Sequence, residues 1–220
     1  MFMELKNILE PAAIARLREI AGRAHFIDGR ISNPHNQTKN NLQVDYESGE
    51  FKESMKIVGD ALWNREEFRN YTFPKRMAPP LLCRYDVGMN YGAHSDGAFM
   101  TMNPTPLRSD ISSTIFINDP STYDGGELVI HLGSKSIPVK GEPGTAIIYP
   151  STTLHEVTPV TRGQRLVAIT FIESQIKDTM QRELLYTLNE IAAREGLKMD
   201  WRNRVQLDHV RQALLRMWGG

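Results

Sequence analysis

Between residues 78 and 175 the chain changes its period, and that change restricts the fold more than any other feature. Short β-rich runs recur there: Leu81–Tyr85, Ser113–Asn118, Glu127–His131, Ser136–Val139, Thr145–Tyr149 and Arg165–Ile172. Asp124-Gly125-Gly126 and Lys140-Gly141-Glu142-Pro143-Gly144 separate them with residues that favour turns. Many short strands with frequent Gly and Pro turns argue against alternating βαβ units. They predict a mainly β fold with flanking helices, a sandwich or a jelly-roll barrel.

The flanks read as helical. In residues 1–77, Ile14, Leu17, Ile20 and Ala21 recur at three- and four-residue spacing, with Pro11 near the start where its missing N–H costs little. A second helix is expected from Phe51 to Asn64, burying Met55, Val58, Ala61 and Leu62, with a polar loop through Asp28–Asn36 between the two. In residues 176–220, Met180, Leu184, Leu185, Leu188, Ile191 and Ala192 form one apolar stripe and Val205–Trp218 another. These stripes are expected to be packing surfaces, either against the chain's own barrel or against a second copy in a homo-oligomer.

Composition excludes several classes. Lys+Arg and Asp+Glu balance at 26 each, so net charge gives no reason to expect a nucleic-acid or membrane-surface partner. One cysteine, Cys83, rules out an internal disulfide framework and fits a reducing compartment. Its apolar neighbours Pro80, Leu81 and Leu82 predict an inert buried thiol. The opening residues lack a secretory pattern, and no stretch approaches the roughly 20 apolar residues that span a bilayer, so the expected location is cytoplasmic.

Six histidines are available: His25, His35, His94, His131, His155 and His209. His94 stands apart because Asp96 follows two residues later, and in extended backbone such a pair points to one face. Gly88, Gly92 and Gly97 permit tight turns around it. His155, after the run Thr145–Tyr149 and the turn-forming Pro150-Ser151, can supply a third ligand at a barrel rim. Two histidines and one carboxylate leave three positions open on an octahedral ion, the arrangement of non-haem iron(II) oxygenases. A 2-oxo acid can chelate there, and its distal carboxylate then needs a cation. Arg165 lies ten residues beyond His155 and shares a strand face with Val167, Ile169 and Phe171. A guanidinium in so apolar an interior is unexpected unless an anion meets it. The alternative is an arginine at a strand edge reaching solvent.

The surrounding residues narrow the reading. Arg84-Tyr85-x-x-Gly88-x-x-Tyr91-x-x-His94-x-Asp96, Tyr123-Asp124-Gly125-Gly126-Glu127-Leu128, Pro150, and His155-x-Val157-x-Pro159-Val160-x-x-Gly163-x-Arg165 resemble the prolyl/lysyl-hydroxylase-like branch of the 2-oxoglutarate oxygenases, and most closely the bacterial PKHD-type hydroxylases. Arg108-Ser109-Asp110, Asp119-Pro120, Lys39-Asn40-Asn41-Leu42-Gln43 and Gln181-Arg182-x-Leu184-Leu185 extend the likeness over nearly the whole chain. The resemblance implies a double-stranded β-helix, iron(II) at His94, Asp96 and His155, 2-oxoglutarate at Arg165, and L-ascorbate as a reductant that rescues oxidised iron. Where eukaryotic prolyl hydroxylases carry a tyrosine for the distal carboxylate, this chain has Phe116. A hydroxyl from Tyr85, Thr114 or Tyr149 would replace it, and Tyr85 is the preferred candidate.

The expected activity is hydroxylation of an unidentified C–H bond in a small-molecule or peptidyl substrate, coupled to decarboxylation of 2-oxoglutarate to succinate. A carboxylate at Asp96 argues against halogenation, which would need a small residue there. The alternatives are a non-catalytic barrel that senses iron or 2-oxoglutarate, and a zinc hydrolase, which would leave Arg165 unexplained. The loop 28–43 and the segment Phe99–Asp110 are expected to form the mouth of the site.

Overall fold

A computed structural model describes residues 2–34 and 36–220, so of the six histidines His35 lies outside the described residues. Strands and helices are numbered in chain order. The major sheet runs β1 (Met3–Leu5), β14 (Ala146–Pro150), β10 (Ile111–Phe116), β17 (Arg165–Ser174), β6 (Leu81–Tyr85), β4 (Leu42–Val44), β2 (Phe26–Asp28), with β5 (Pro74–Met77) also paired to β17. The minor sheet runs β13 (Lys135–Val139), β12 (Leu128–Leu132), β15 (His155–Val157), β7 (Asn90–His94), β3 (Lys39–Asn40). Two short ribbons complete the β structure, β8 (Phe99–Met100) with β9 (Leu107–Arg108) and β11 (Asp124–Gly125) with β16 (Val160–Arg162). All these pairings are antiparallel. The architecture is a double-stranded β-helix of two separate sheets. Among the described residues no ladder joins them, so the sheets do not form a closed barrel.

The centre of the molecule is β17, ten residues long and paired to β10 on one side and β6 on the other. A strand covered on both faces reads as a continuous apolar run, and Leu166-Val167-Ala168 is such a run, fully buried. The neighbouring β10 is buried from Ile111 to Phe116. These strands fall within two residues of the runs predicted for them.

The residues before 78 depart from the helical expectation. Helix α1 (Pro11–Arg23) opens on its proline and buries Ile14, Leu17, Ile20 and Ala21. Helix α2 (Gly49–Asn64) begins where the Ser48 hydroxyl accepts from the Phe51 N–H at 3.0 Å. It buries Ser54, Val58 and Leu62, with Met55 and Ala61 half-buried. A third helix, α3 (Glu66–Thr72), was not expected; it buries Phe68, Tyr71 and Thr72. The segment also supplies strands to both sheets: β1 covers β14, β4 extends β6 with β2 outside it, and β3 adds to β7. Strands of two or three residues carry no readable alternation, which is why pattern alone missed them.

The C-terminal helices α4 (Thr179–Glu195) and α5 (Trp201–Trp218) are capped by the Asp178 and Asp200 carboxylates. Their apolar stripes are mostly unpacked: only Arg182 and Leu185 of α4 are buried, and no residue of α5 is. Met180 and Leu184 remain 62% and 52% exposed. Cys83 is buried as expected, and burial pushes its thiol up to about 11. Among the described residues no helix is long and apolar enough to cross a membrane.

Ile115 is wholly buried in β10, between β14 and β17. Ile115→Ala should therefore cost about 2–5 kcal/mol, read as a lower urea midpoint with an unchanged m-value.

Candidate metal centre

Strand pairing creates the site. His94 ends β7, His155 begins β15, and the two are Cα partners in the ladder. Asp96 follows in the turn, where its N–H donates to the Ser151 carbonyl at 3.2 Å. One ligand atom from each of His94, Asp96 and His155 then lies within 4.8 Å of the others. Asp96 Oδ1 stands 3.8 Å from His94 Nε2 and 3.9 Å from His155 Nε2. Each imidazole is oriented from behind. Nδ1 of His94 donates to the Gly92 carbonyl at 2.8 Å and Nδ1 of His155 to the Thr153 carbonyl at 2.9 Å. A carbonyl only accepts, so both protons sit on Nδ1 and both Nε2 lone pairs face Asp96. Tyr91 stacks on the His94 ring at 3.7 Å and 17°. Burial, and then the neighbouring His155, hold the His94 imidazole below its ordinary range, which favours the neutral form a metal requires.

The carboxylate is oriented by residues the sequence reading did not select. Ser112 Oγ donates to Asp96 Oδ2 at 2.5 Å and lies 2.8 Å from Ser151 Oγ, which in turn receives a bond from Ser109 at 2.9 Å. All three serines are buried. This chain occupies Oδ2 and leaves Oδ1 without a hydrogen bond on the side of the two Nε2 atoms, where a cation could be held by all three. The signal available in sequence was slight: Ser109 lies within Arg108-Ser109-Asp110, but isolated serines on strands carry no pattern.

Arg165 faces the same cavity from the major sheet and is 1% exposed. Its guanidinium lies over the Tyr85 ring at 4.8 Å and the Phe116 ring at 5.8 Å. Its Nε has no hydrogen-bond partner, and among the described residues no carboxylate lies within ion-pair distance. The edge-strand alternative is therefore excluded: the cation is interior. Tyr85 is the cross-strand partner of Arg165, while Thr114 and Tyr149 line the same cavity from β10 and β14. Gly126 makes room for the arginine, because a Cβ there would meet Arg165 Cδ at 3.1 Å in a backbone of φ +64°. Elsewhere His131 contacts Ser136 and Glu156, while His25 and His209 are exposed; none joins the cluster.

Residues 80–173 match the 2OG-Fe(II) oxygenase superfamily. A PKHD-type hydroxylase of Sphingopyxis alaskensis is 51% identical over 215 residues, covering 98% of both chains. The chain belongs to the PKHD-type hydroxylases. Among solved structures, a prolyl hydroxylase of Trichoplax adhaerens in complex with a hypoxia inducible factor peptide fragment superposes with a TM-score of 0.59 at 15% identity, over 83% of this chain and 86% of that one. HygX of Streptomyces hygroscopicus, with nickel and 2-oxoglutarate bound, gives 0.55 at 11% identity, over 77% and 81%. The protein is thus an iron(II)- and 2-oxoglutarate-dependent hydroxylase, and the donor set fits: two neutral imidazoles and a carboxylate suit iron(II).

Ser112→Ala should weaken manganese(II) binding by about 10–100-fold, read by calorimetry, while Ser112→Thr, which keeps the hydroxyl, should restore most of it. Because His94 is held below its ordinary pKa, it stays neutral to lower pH than a free imidazole. Metal affinity should therefore be level from pH 8 to about 6.5 and fall only below that. A decline already complete by pH 7 would contradict this environment for His94.

Proposed function

We propose that His94 Nε2, Asp96 Oδ1 and His155 Nε2 hold the iron and that Arg165 takes the distal carboxylate of 2-oxoglutarate, with Tyr85 beside it. The observation that carries this reading is the interior guanidinium: a cation 1% exposed, without a carboxylate partner among the described residues, in the cavity that also holds the triad. An isolated buried charge costs several kcal/mol, and a ligand carboxylate is the natural compensation. Bound iron would supply the means of activating dioxygen for attack on a C–H bond. The chain's own residues then bind, orient and exclude water. Tyr91 and the Gly92 carbonyl fix His94, the serine chain fixes Asp96, and the rings of Tyr85 and Phe116 lie beside Arg165 in an apolar setting where its charge is poorly screened.

Tyr85 is favoured over Tyr149 as the aromatic neighbour of the cosubstrate because it is the one in register with Arg165. Tyr149 instead packs edge-on against His155 at 5.1 Å. L-Ascorbate would serve as the reductant that returns oxidised iron to the divalent state. The substrate is a small molecule or a peptidyl residue; a peptide bound to the Trichoplax adhaerens enzyme makes the second class reasonable for the same fold.

Arg165→Ala should leave metal affinity intact and weaken 2-oxoglutarate by roughly 10²–10³-fold, about 3–5 kcal/mol, with Arg165→Lys recovering only part. Calorimetric titration of each ligand into the variants checks this. Unchanged 2-oxoglutarate affinity would remove the anchor role.

A further inference from the structure

A second buried cation lies beyond Tyr91. Lys39 of β3 is 7% exposed, and its ammonium has one hydrogen bond, a donation to Ser32 Oγ at 2.6 Å. Among the described residues no carboxylate lies within 4 Å of it; burial lowers its pKa, and Asp28 and Asp96 oppose that only at longer range. Asp28 is itself occupied by Arg30 at 2.5 Å. In the ladder Lys39 is the partner of Tyr91, so both side chains leave the minor sheet on one face, that of the metal centre. The ammonium stands 5.2 Å from the Tyr91 ring, which is stacked on His94.

The fold makes specific provision for this lysine. A Cβ on Gly92 would lie 2.8 Å from Thr38 Cβ, so only glycine lets the β3 end approach β7 so closely.

Charge identifies what such a place would take. Iron(II), Asp96, Arg165 and Lys39 together leave an excess of three positive charges, and dianionic 2-oxoglutarate offsets two of them. One positive charge stays buried, and it is the one on Lys39. We propose that Lys39 recognises a carboxylate on the substrate; this rests on the iron and 2-oxoglutarate assignment above. A monoanion matches the single excess charge, whereas a phosphate ester would overfill it.

The test uses the full chain loaded with manganese(II) and 2-oxoglutarate, whose paramagnetism speeds relaxation of the protons of any probe bound near the metal. Two matched pairs serve as probes: butyrate with butyramide, and acetyl-aspartate N-methylamide with its asparagine counterpart. Inorganic phosphate, followed through its phosphorus signal, is the competing anion. The carboxylate member of a pair should be relaxed and its amide not, and the responding pair tells a free acid from a peptidyl one. Lys39→Met should weaken that probe by about 10–100-fold, as loss of a charged hydrogen bond does, and Lys39→Arg should retain it. Metal and 2-oxoglutarate affinities of both variants should equal the wild type's, which also shows that they fold. Relaxation of neither carboxylate, equal relaxation of amide and acid, stronger relaxation of phosphate, or an effect of Lys39→Met on 2-oxoglutarate itself would each overturn the assignment. Failure of the wild type to bind manganese(II) and 2-oxoglutarate together would instead remove the reading beneath it.

Discussion

A guanidinium buried at the start of the longest strand sets the terms for the rest of this molecule. Among the described residues Arg165 has no acidic partner, and removing such a group from water costs several kcal/mol that packing alone does not return. The fold accepts that cost and arranges the surroundings accordingly. Tyr85 and Phe116 present ring faces to the cation, which offsets part of the loss. Gly126 is held in a left-handed conformation so that its missing side chain leaves space for the arginine. In the proposed reading, folding prepares a cavity whose electrostatics an incoming anion would complete, which fits a protein whose cosubstrate is a dicarboxylate.

The proposed metal ligands are placed by the opposite strategy, in which their orienting bonds are made in advance. Each imidazole has its Nδ1 bonded to a backbone carbonyl two residues earlier, and Asp96 has one oxygen engaged by a chain of buried hydroxyls. Little rearrangement is then required when a cation arrives, and one face of it remains free for other ligands. The two halves of the site come from different sheets: the triad from the rim of the minor sheet, the arginine from the middle of the major one. Stability of the long central strand and precision at the site are therefore linked, since β17 carries both the core residues Leu166–Ala168 and Arg165 itself.

Much of this was legible in sequence, and the reasons for the exceptions are physical. The strands of the central region announce themselves through β-rich runs and glycine turns. His94 and Asp96 announce themselves by a spacing that only extended backbone makes meaningful. Arg165 was readable because a charge in an apolar alternation is an anomaly that demands a partner. The strands before residue 78 were not readable, because two or three residues such as Lys39–Asn40 owe their conformation to a neighbouring strand rather than to their own pattern. The orienting serines were equally hidden, as a hydroxyl becomes informative only when its distance to Asp96 is known. The C-terminal stripes had the right period, and the sequence left open whether they face the chain's own sheets or a second copy; α5 packs on α4 and leaves residues such as Trp201 73% exposed.

The central claim is that iron and 2-oxoglutarate meet between these two sheets. Diffraction from crystals grown without oxygen in manganese(II) and 2-oxoglutarate, with anomalous data collected for the metal, tests it most directly. The account predicts one anomalous peak bonded to His94 Nε2, Asp96 Oδ1 and His155 Nε2, with the distal carboxylate of 2-oxoglutarate against Arg165. A metal bound elsewhere, or a cosubstrate whose distal carboxylate leaves the Arg165 guanidinium alone, would contradict it.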